Sequence, residues 1–306
     1  MSSRPARPFC AEVARAAEEP LEATASRIEH WLLVEHSGYW PYEPLDAAPF
    51  AGAVREHLAA QLAALRPARL VLVKRPRGRT EPLRVLYGST PEQGGRFHQR
   101  ELEGHADLLE LDLASELLGR GEPAGAPVDD PLLLVCTHGT RDRCCARYGQ
   151  ALYNEVARQA DPEWVWQASH VGGDRFAGNL VVLPEGLYFG RVGPDDVPAV
   201  LASYAAGNVE LPLYRGRSCH SFAVQAAEGH VRRATGLAGI DDLRLAGTRR
   251  TGPHAFTVEL LVEQAGVLHS VRVERELGEP TLLTCDSTEL ARPRRYRVRS
   301  HGERPA

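Results

Sequence analysis

Two short segments hold side chains whose types and spacing could do chemistry. The first is Cys136-Thr-His-Gly-Thr-Arg-Asp-Arg-Cys144-Cys145, and the second is Ser169-His170-Val-Gly-Gly-Asp174-Arg-Phe176. Thiolate, imidazole and carboxylate are metal-binding groups, and softer metals select the first two. Each segment follows an apolar run that reads as a strand, and Cys145 opens a stretch with helical spacing. In an α/β sheet, strand ends and helix starts meet at one edge, where ligands bind. A helix N-terminus also lowers a thiol pKa. Gly172 and Gly173 let the backbone turn sharply and approach a bulky group closely. Cys136, Cys145, His170 and Asp174 would thus converge as two pairs from two adjacent loops. Taken singly, each feature has a plainer reading. Cys136 would be apolar filler, Cys144-Cys145 a coincidence or a pair of redox-sensitive thiols, His138 a loop histidine, and Asp142 a brace for that loop or the partner of a neighbouring arginine.

The elements that must position these groups are legible as apolar runs. Trp31–Glu35 and Leu70–Lys74 read as strands flanking a helix over Ala51–Leu65, which carries Val54, Leu58, Leu62 and Leu65 at helical spacing and stops before Pro67. Leu83–Tyr87 and Phe97–Leu102 add two strands, Leu108–Leu118 a short strand and a helical turn, and Gly119–Asp130 a linker. The second half opens the same way. A strand over Pro131–Val135 ends at Cys136, a helix covers Cys145–Ala160, and Trp164–Ala168 is a strand. Asn179–Leu183 and Leu187–Val192 form a hairpin, and Asp195–Ala206 is a helix. One βαβ unit followed by a β-hairpin is the skeleton of a thioredoxin-like fold. Trp31–Glu35 then matches Leu132–Val135 as a diverged internal duplication, although two unrelated α/β layers would give the same order.

The expected organisation is therefore α/β: two tandem thioredoxin-like units and a C-terminal α+β extension. Residues 1–125 form a unit without cysteine ligands, 126–215 the unit carrying the site, and 216–306 the extension. That extension contains a helix over Phe222–Arg233, a hairpin of His254–Glu263 and Val267–Glu276, and a further strand over Thr281–Thr284. The basic run Arg292–Arg299 reads as a solvated edge strand or frayed end rather than a nucleic-acid patch.

Composition bounds the function. The 306 residues carry 36 basic and 40 acidic side chains, a net charge of -4, which gives no global reason to expect nucleic acid or an acidic membrane as partner. Six cysteines are too sparse for a disulfide scaffold in a chain large enough to bury its own core. Cys10 and Cys285 lie far from the central segment and read as structural. Met1–Cys10 lacks the apolar stretch of a secretory signal, and no run is long enough to span a membrane. The expectation is a cytoplasmic protein with reduced thiols. No Walker loop, Gly-x-Gly-x-x-Gly or Cys-x-x-Cys motif is present. Nothing singles out the carboxylate pair that glycoside hydrolysis needs.

The two chemistry-bearing segments, with Asn179–Val192, Glu19-Pro-Leu-Glu-Ala-Thr24 and Trp31–Glu35, resemble the sucrase/ferredoxin-like family, a branch of the thioredoxin-like [2Fe-2S] ferredoxins. The resemblance runs from about residue 10 to about residue 230. It implies a [2Fe-2S] cluster, electron transfer to or from a redox partner protein, and no substrate-converting activity. Cys136 and Cys145 would be the thiolate ligands and His170 the first histidine ligand. The family's second histidine position holds Asp174, a harder ligand than imidazole. Cys144 is the nearest reserve, with Cys219 or His220 available if the tail folds back. Arg141, Arg143 and Arg175 would offset the charge of a thiolate-bound cluster. A cluster-free interaction protein, or zinc held by the same four residues, are the alternatives.

Overall fold

The computed structural model describes residues 7–50, 52–75 and 82–306. After a short helix α1 (Cys10–Ala16), the chain enters β1 (His30–Glu35), α2 (Ala53–Ala64) and β2 (Ala68–Lys74), with β1 and β2 parallel. β3 (Leu83–Ser89) pairs antiparallel with β1, and β4 (Arg96–Leu102) with β3. The 108–118 segment contains no strand: a 3-10 turn over His105–Glu110 leads into α3 (Leu113–Leu117). Asp112 caps that helix by accepting the Ser115 amide. The presumed linker holds a short strand, β5 (Ala126–Val128), which pairs with β4 and extends the first half's edge.

The second half runs β6 (Leu132–Cys136), α4 (Gln150–Gln159), β7 (Val165–Ala168), β8 (Leu180–Leu183), β9 (Leu187–Phe189), α5 (Val197–Ala205) and β10 (Tyr214–Arg217). β6 and β7 are parallel, and β8 and β9 follow antiparallel. The strand order is β4-β3-β1-β2 in the first half and β9-β8-β6-β7 in the second. The two βαβ edges meet through β2 and β7, antiparallel, so that all ten strands form one sheet.

Burial on both sheet faces explains the unbroken apolar runs. In β1, Trp31 and Leu33 enter one core layer and Leu32 and Val34 the other, beneath α2. In β6, Leu132, Leu134 and Cys136 share the layer of Trp31, while Leu133 and Val135 pack under α4 and α5. The period-2 alternation of a strand therefore decides which way the Cys136 thiol points.

The tail packs α6 (Phe222–Thr235) on a second, antiparallel sheet of β11 (Arg244–Arg250), β12 (Ala255–Val262), β13 (Val267–Leu277) and β14 (Arg294–Pro305). The Ser221 hydroxyl caps α6 and Gly236 ends it in a left-handed conformation. The hairpin expected from sequence is the centre of this sheet. Thr281–Thr284 is not a strand, and only Thr281 bridges to Ala291. The basic run forms edge strand β14, where Arg297 and Arg299 pair with Glu276 and Glu274 of β13.

Candidate metal centre

β6 ends at Cys136, whose side chain is 1% exposed. The loop after it is closed by the Arg141 and Asp142 amides, which donate to the His138 carbonyl. Cys145 then opens a five-residue π-helical turn, Cys145–Gly149, that leads into α4. This turn lies directly on the Cys136 peptide, because a β-carbon on Gly149 would fall 1.9 Å from the Cys136 carbonyl oxygen. The glycine thus sets how closely the two cysteine-bearing elements approach.

β7 ends one strand away, clamped by Ser169. Its amide donates to the Leu72 carbonyl, and its hydroxyl accepts the Leu72 amide. The His170 amide donates to His138 Nδ1 at 3.1 Å, and His138 Nε2 lies 3.4 Å from the Trp40 carbonyl. Both ring nitrogens of His138 are thus engaged, which makes it a brace rather than a ligand. Gly172 and Gly173 have φ of 103° and 85°, the left-handed region that favours glycine. They deliver Asp174 to the site.

The four residues singled out from sequence lie together. Cys145 Sγ lies 3.3 Å from Asp174 Oδ1, and His170 Nδ1 sits 2.9 Å from the same oxygen. Cys136 is the hydrogen-bond neighbour of Cys145, which holds the Cys136 thiol down to about 7 against the effect of burial, with His170 acting in the same sense. Cys145, keeping its proton for that contact and buried besides, is pushed well up. Burial alone would raise the Asp174 carboxyl, but His170, Cys145 and the Arg141 charge hold it below its ordinary value. His170 Nδ1 is buried, with the Asp174 oxygen as its close neighbour and no well-formed hydrogen bond.

Several expectations need correction. Cys144 is no reserve for this site: it faces away, toward Cys10 and Cys285. Those two cysteines, remote in sequence, are therefore neighbours of the central segment. Asp142 pairs with no arginine among the described residues; it braces the loop instead, accepting the amides of Cys144 and Cys285. His220 is fixed between Glu228 and Glu92 rather than at the site. Arg175 is bound to Glu19, Arg143 stacks over Phe9, and Arg141 reaches Glu43 across the Tyr42 ring. The Arg141 charge acts on Asp174.

The main cation beside the site was missed. Arg215, on β10, is 1% exposed and donates to Thr24, Gly172 and Asn179, all neutral acceptors. Burial lowers its pKa to about 10, while Asp174 and Cys136 favour its charge. Its guanidinium runs under Gly173, where a β-carbon would come within 2.3 Å of Nη2. The available signal was Tyr214-Arg-Gly-Arg217, which puts charges at alternate positions beside a glycine.

Residues 21–216, well over half of the chain, match the sucrase/ferredoxin-like family. The chain belongs to that family. Curated relatives of similar sequence are each named altered inheritance of mitochondria protein 32. The protein of Meyerozyma guilliermondii is 34% identical over 99 residues, covering 29% of this chain and 35% of the relative. That of Clavispora lusitaniae is 31% identical over 100 residues, covering 30% and 37%. The matched region thus spans about a third of these relatives' length. Among solved structures, the Cys59Ser variant of the thioredoxin-like [2Fe-2S] ferredoxin from Aquifex aeolicus overlaps loosely. Its TM-score is 0.25 and its identity 20%, over 28% of this chain and 97% of that one. Among the described residues, no helix is long and apolar enough to cross a membrane.

Proposed function

We propose that this sucrase/ferredoxin-like protein is a one-electron carrier or redox sensor built around a [2Fe-2S] cluster, with Cys136, Cys145, His170 and Asp174 as ligands. The observation that carries this reading is the convergence of two thiols, an imidazole and a carboxylate at the ends of β6 and β7, with His170 Nδ1 buried and poorly satisfied. That donor set fits the group. Cysteine on one iron and histidine on the other resembles the Rieske arrangement, in which imidazole raises the potential. Zinc at these four residues is the less favoured reading. Among the described residues, two groups have donor atoms all within 4.8 Å of one another, and neither contains Cys136, Cys145, His170 or Asp174. The donors of Cys136, Cys145, His170 and Asp174 do not form such a compact group, as a single ion would need.

The residues around the site would do three things. Trp166, Val171 and Phe176, all fully buried, keep water out. Arg215, without a carboxylate partner among the described residues, supplies a fixed positive charge, which favours the reduced, more negative state. Ser169 and His138 hold the His170 loop in place. The cluster itself would take up one electron from a reduced protein partner and pass it to an oxidised one. The identical strand order of the two halves supports reading them as tandem thioredoxin-like units, of which only the second keeps the ligands. The six free cysteines suit a reducing compartment such as the cytoplasm.

The test is protein purified without oxygen. The expected product is brown, carries iron and acid-labile sulfide in equal amounts, and bleaches on dithionite, with both constituents lost in Cys136→Ser. Colourless protein with neither constituent, or with zinc alone, would contradict the reading.

A further inference from the structure

Cys10, Cys144 and Cys285 come from three regions separated by as many as 275 residues, yet they meet in one buried cluster. Cys10 opens α1, Cys144 precedes the π-helical turn, and Cys285 lies in the loop between β13 and β14. The three sulfurs are 3.3, 3.5 and 3.7 Å apart. The Asp142 carboxylate closes the figure, with its two oxygens 3.8 and 3.7 Å from Cys10 Sγ. All four residues are at most 2% exposed.

Three thiols could simply fill core space, as free cysteines commonly do. The carboxylate argues otherwise. A buried Asp needs a cation or full hydrogen bonding, and among the described residues no Lys, Arg or His forms an ion pair with Asp142. It is instead oriented by the Cys144 and Cys285 amides, each donating at 2.7 Å. Two further amides point at sulfur, Ala11 at Cys144 (3.4 Å) and Cys10 at Cys285 (3.5 Å). Backbone donors aimed at three of the four converging residues stabilise anionic ligands. The size also fits one ion. A tetrahedral zinc with Zn–S of about 2.3 Å and Zn–O of about 2.0 Å separates its sulfurs by about 3.8 Å and a sulfur from an oxygen by about 3.5 Å. The sulfurs are far beyond disulfide bonding distance, about 2.05 Å, and an odd set of three cannot pair off.

We propose that Cys10, Cys144, Cys285 and Asp142 form a structural zinc site, distinct from the Cys136–Cys145 centre. Each thiol that binds gives up its proton to solvent, and the ion replaces those protons with three Zn–S bonds and one Zn–O bond. The site ties helix α1 and the tail to the loop that carries the other centre's ligands. The adjacent Cys144 and Cys145 thus serve two different sites.

Cobalt(II) added to full-length protein stripped of metal by a chelator tests this, because tetrahedral thiolate-bound cobalt has intense visible and charge-transfer bands. The expected result is one equivalent of such cobalt per chain, displaced by zinc. The bands should persist when Cys136 and Cys145 are both changed to Ser and disappear in Cys10→Ser and in Cys285→Ser. Asp142→Asn should weaken zinc binding more than tenfold. In unmodified protein, zinc should raise the melting temperature, which keeps the test independent of how the variants fold. Absence of tetrahedral cobalt in unmodified protein, or bands that survive loss of Cys10 and of Cys285, would overturn the proposal. Failure of the iron–sulfur reading would leave these outcomes unchanged.

Discussion

Gly149→Ala is a substitution for which two physical effects disagree in sign. Gly149 has helical φ and ψ of -68° and -38°. By helix propensity alone, alanine should stabilise the chain by about 1 kcal/mol. Packing opposes this. The new β-carbon would sit 1.9 Å from the Cys136 carbonyl oxygen, and reaching the 3.4 Å of ordinary contact requires a movement of about 1.5 Å. The obstacle is the backbone of a strand inside the sheet, which cannot yield by changing rotamer. Overpacking of this kind costs up to about 3 kcal/mol, so the net expected loss is about 2 kcal/mol. Such a loss lowers the melting temperature by roughly 3 °C. The displacement falls on the two elements that carry Cys136 and Cys145, so metal content should drop along with stability. Gly104→Ala is the control: its backbone is extended and nothing lies within 4 Å of a new β-carbon, so it should leave both unchanged. Thermal unfolding and metal analysis of the two variants decide the matter. A Gly149→Ala protein as stable as the parent, with full metal content, would refute the close approach of helix and strand on which the site's geometry depends.

Other expectations follow from neighbouring residues. Arg215→Met should lower the reduction potential by on the order of 60 mV, the one-electron equivalent of a tenfold change in equilibrium. Arg215→Lys should retain most of the parent value in protein-film voltammetry; equal potentials in Met and Lys variants would remove the charge argument. Asp174→His should shift the visible spectrum of the iron-loaded protein, and an unchanged spectrum would strike Asp174 from the ligands. His220→Gln tests a buried network in which His220 lies 3.2 Å from Glu228 and 3.3 Å from Glu92. Burial would lower the histidine pKa, but Cys219, Glu228 and Glu92 raise it well above its ordinary value of 6.5. Its contribution is therefore complete below that value and is lost as pH rises through the raised folded-state pKa. Urea unfolding should show a loss of about 3 kcal/mol near neutrality in the variant, and a smaller fall in stability toward alkaline pH than in the parent. Parallel curves would contradict the assignment.

What was legible in the sequence was local. The strands announced themselves as apolar runs because both sheet faces are buried, and the two ligand segments follow strand ends directly. The glycine pair was readable because its left-handed backbone has few alternatives. The assembly of Cys10 and Cys285 around Cys144 was not legible, since no local pattern encodes contacts made across the whole chain. Asp142 sits among arginines in sequence, yet its neighbours in space are amides and thiols. Arg215 looked like one charge among many; only the fold shows it buried, with neutral acceptors alone. β5 was hidden in a Gly- and Pro-rich stretch because a short edge strand needs little apolar patterning.

In the proposed centre two thiolates would hold one iron while an imidazole and a carboxylate would hold the other. Mössbauer spectroscopy of protein enriched in 57Fe and prepared without oxygen tests it most directly. Two quadrupole doublets of equal area are expected in the oxidised protein, one from a sulfur-only iron and one, with the larger isomer shift, from an iron with nitrogen and oxygen ligands. A single doublet from two equivalent irons, or protein that takes up no iron, would contradict it.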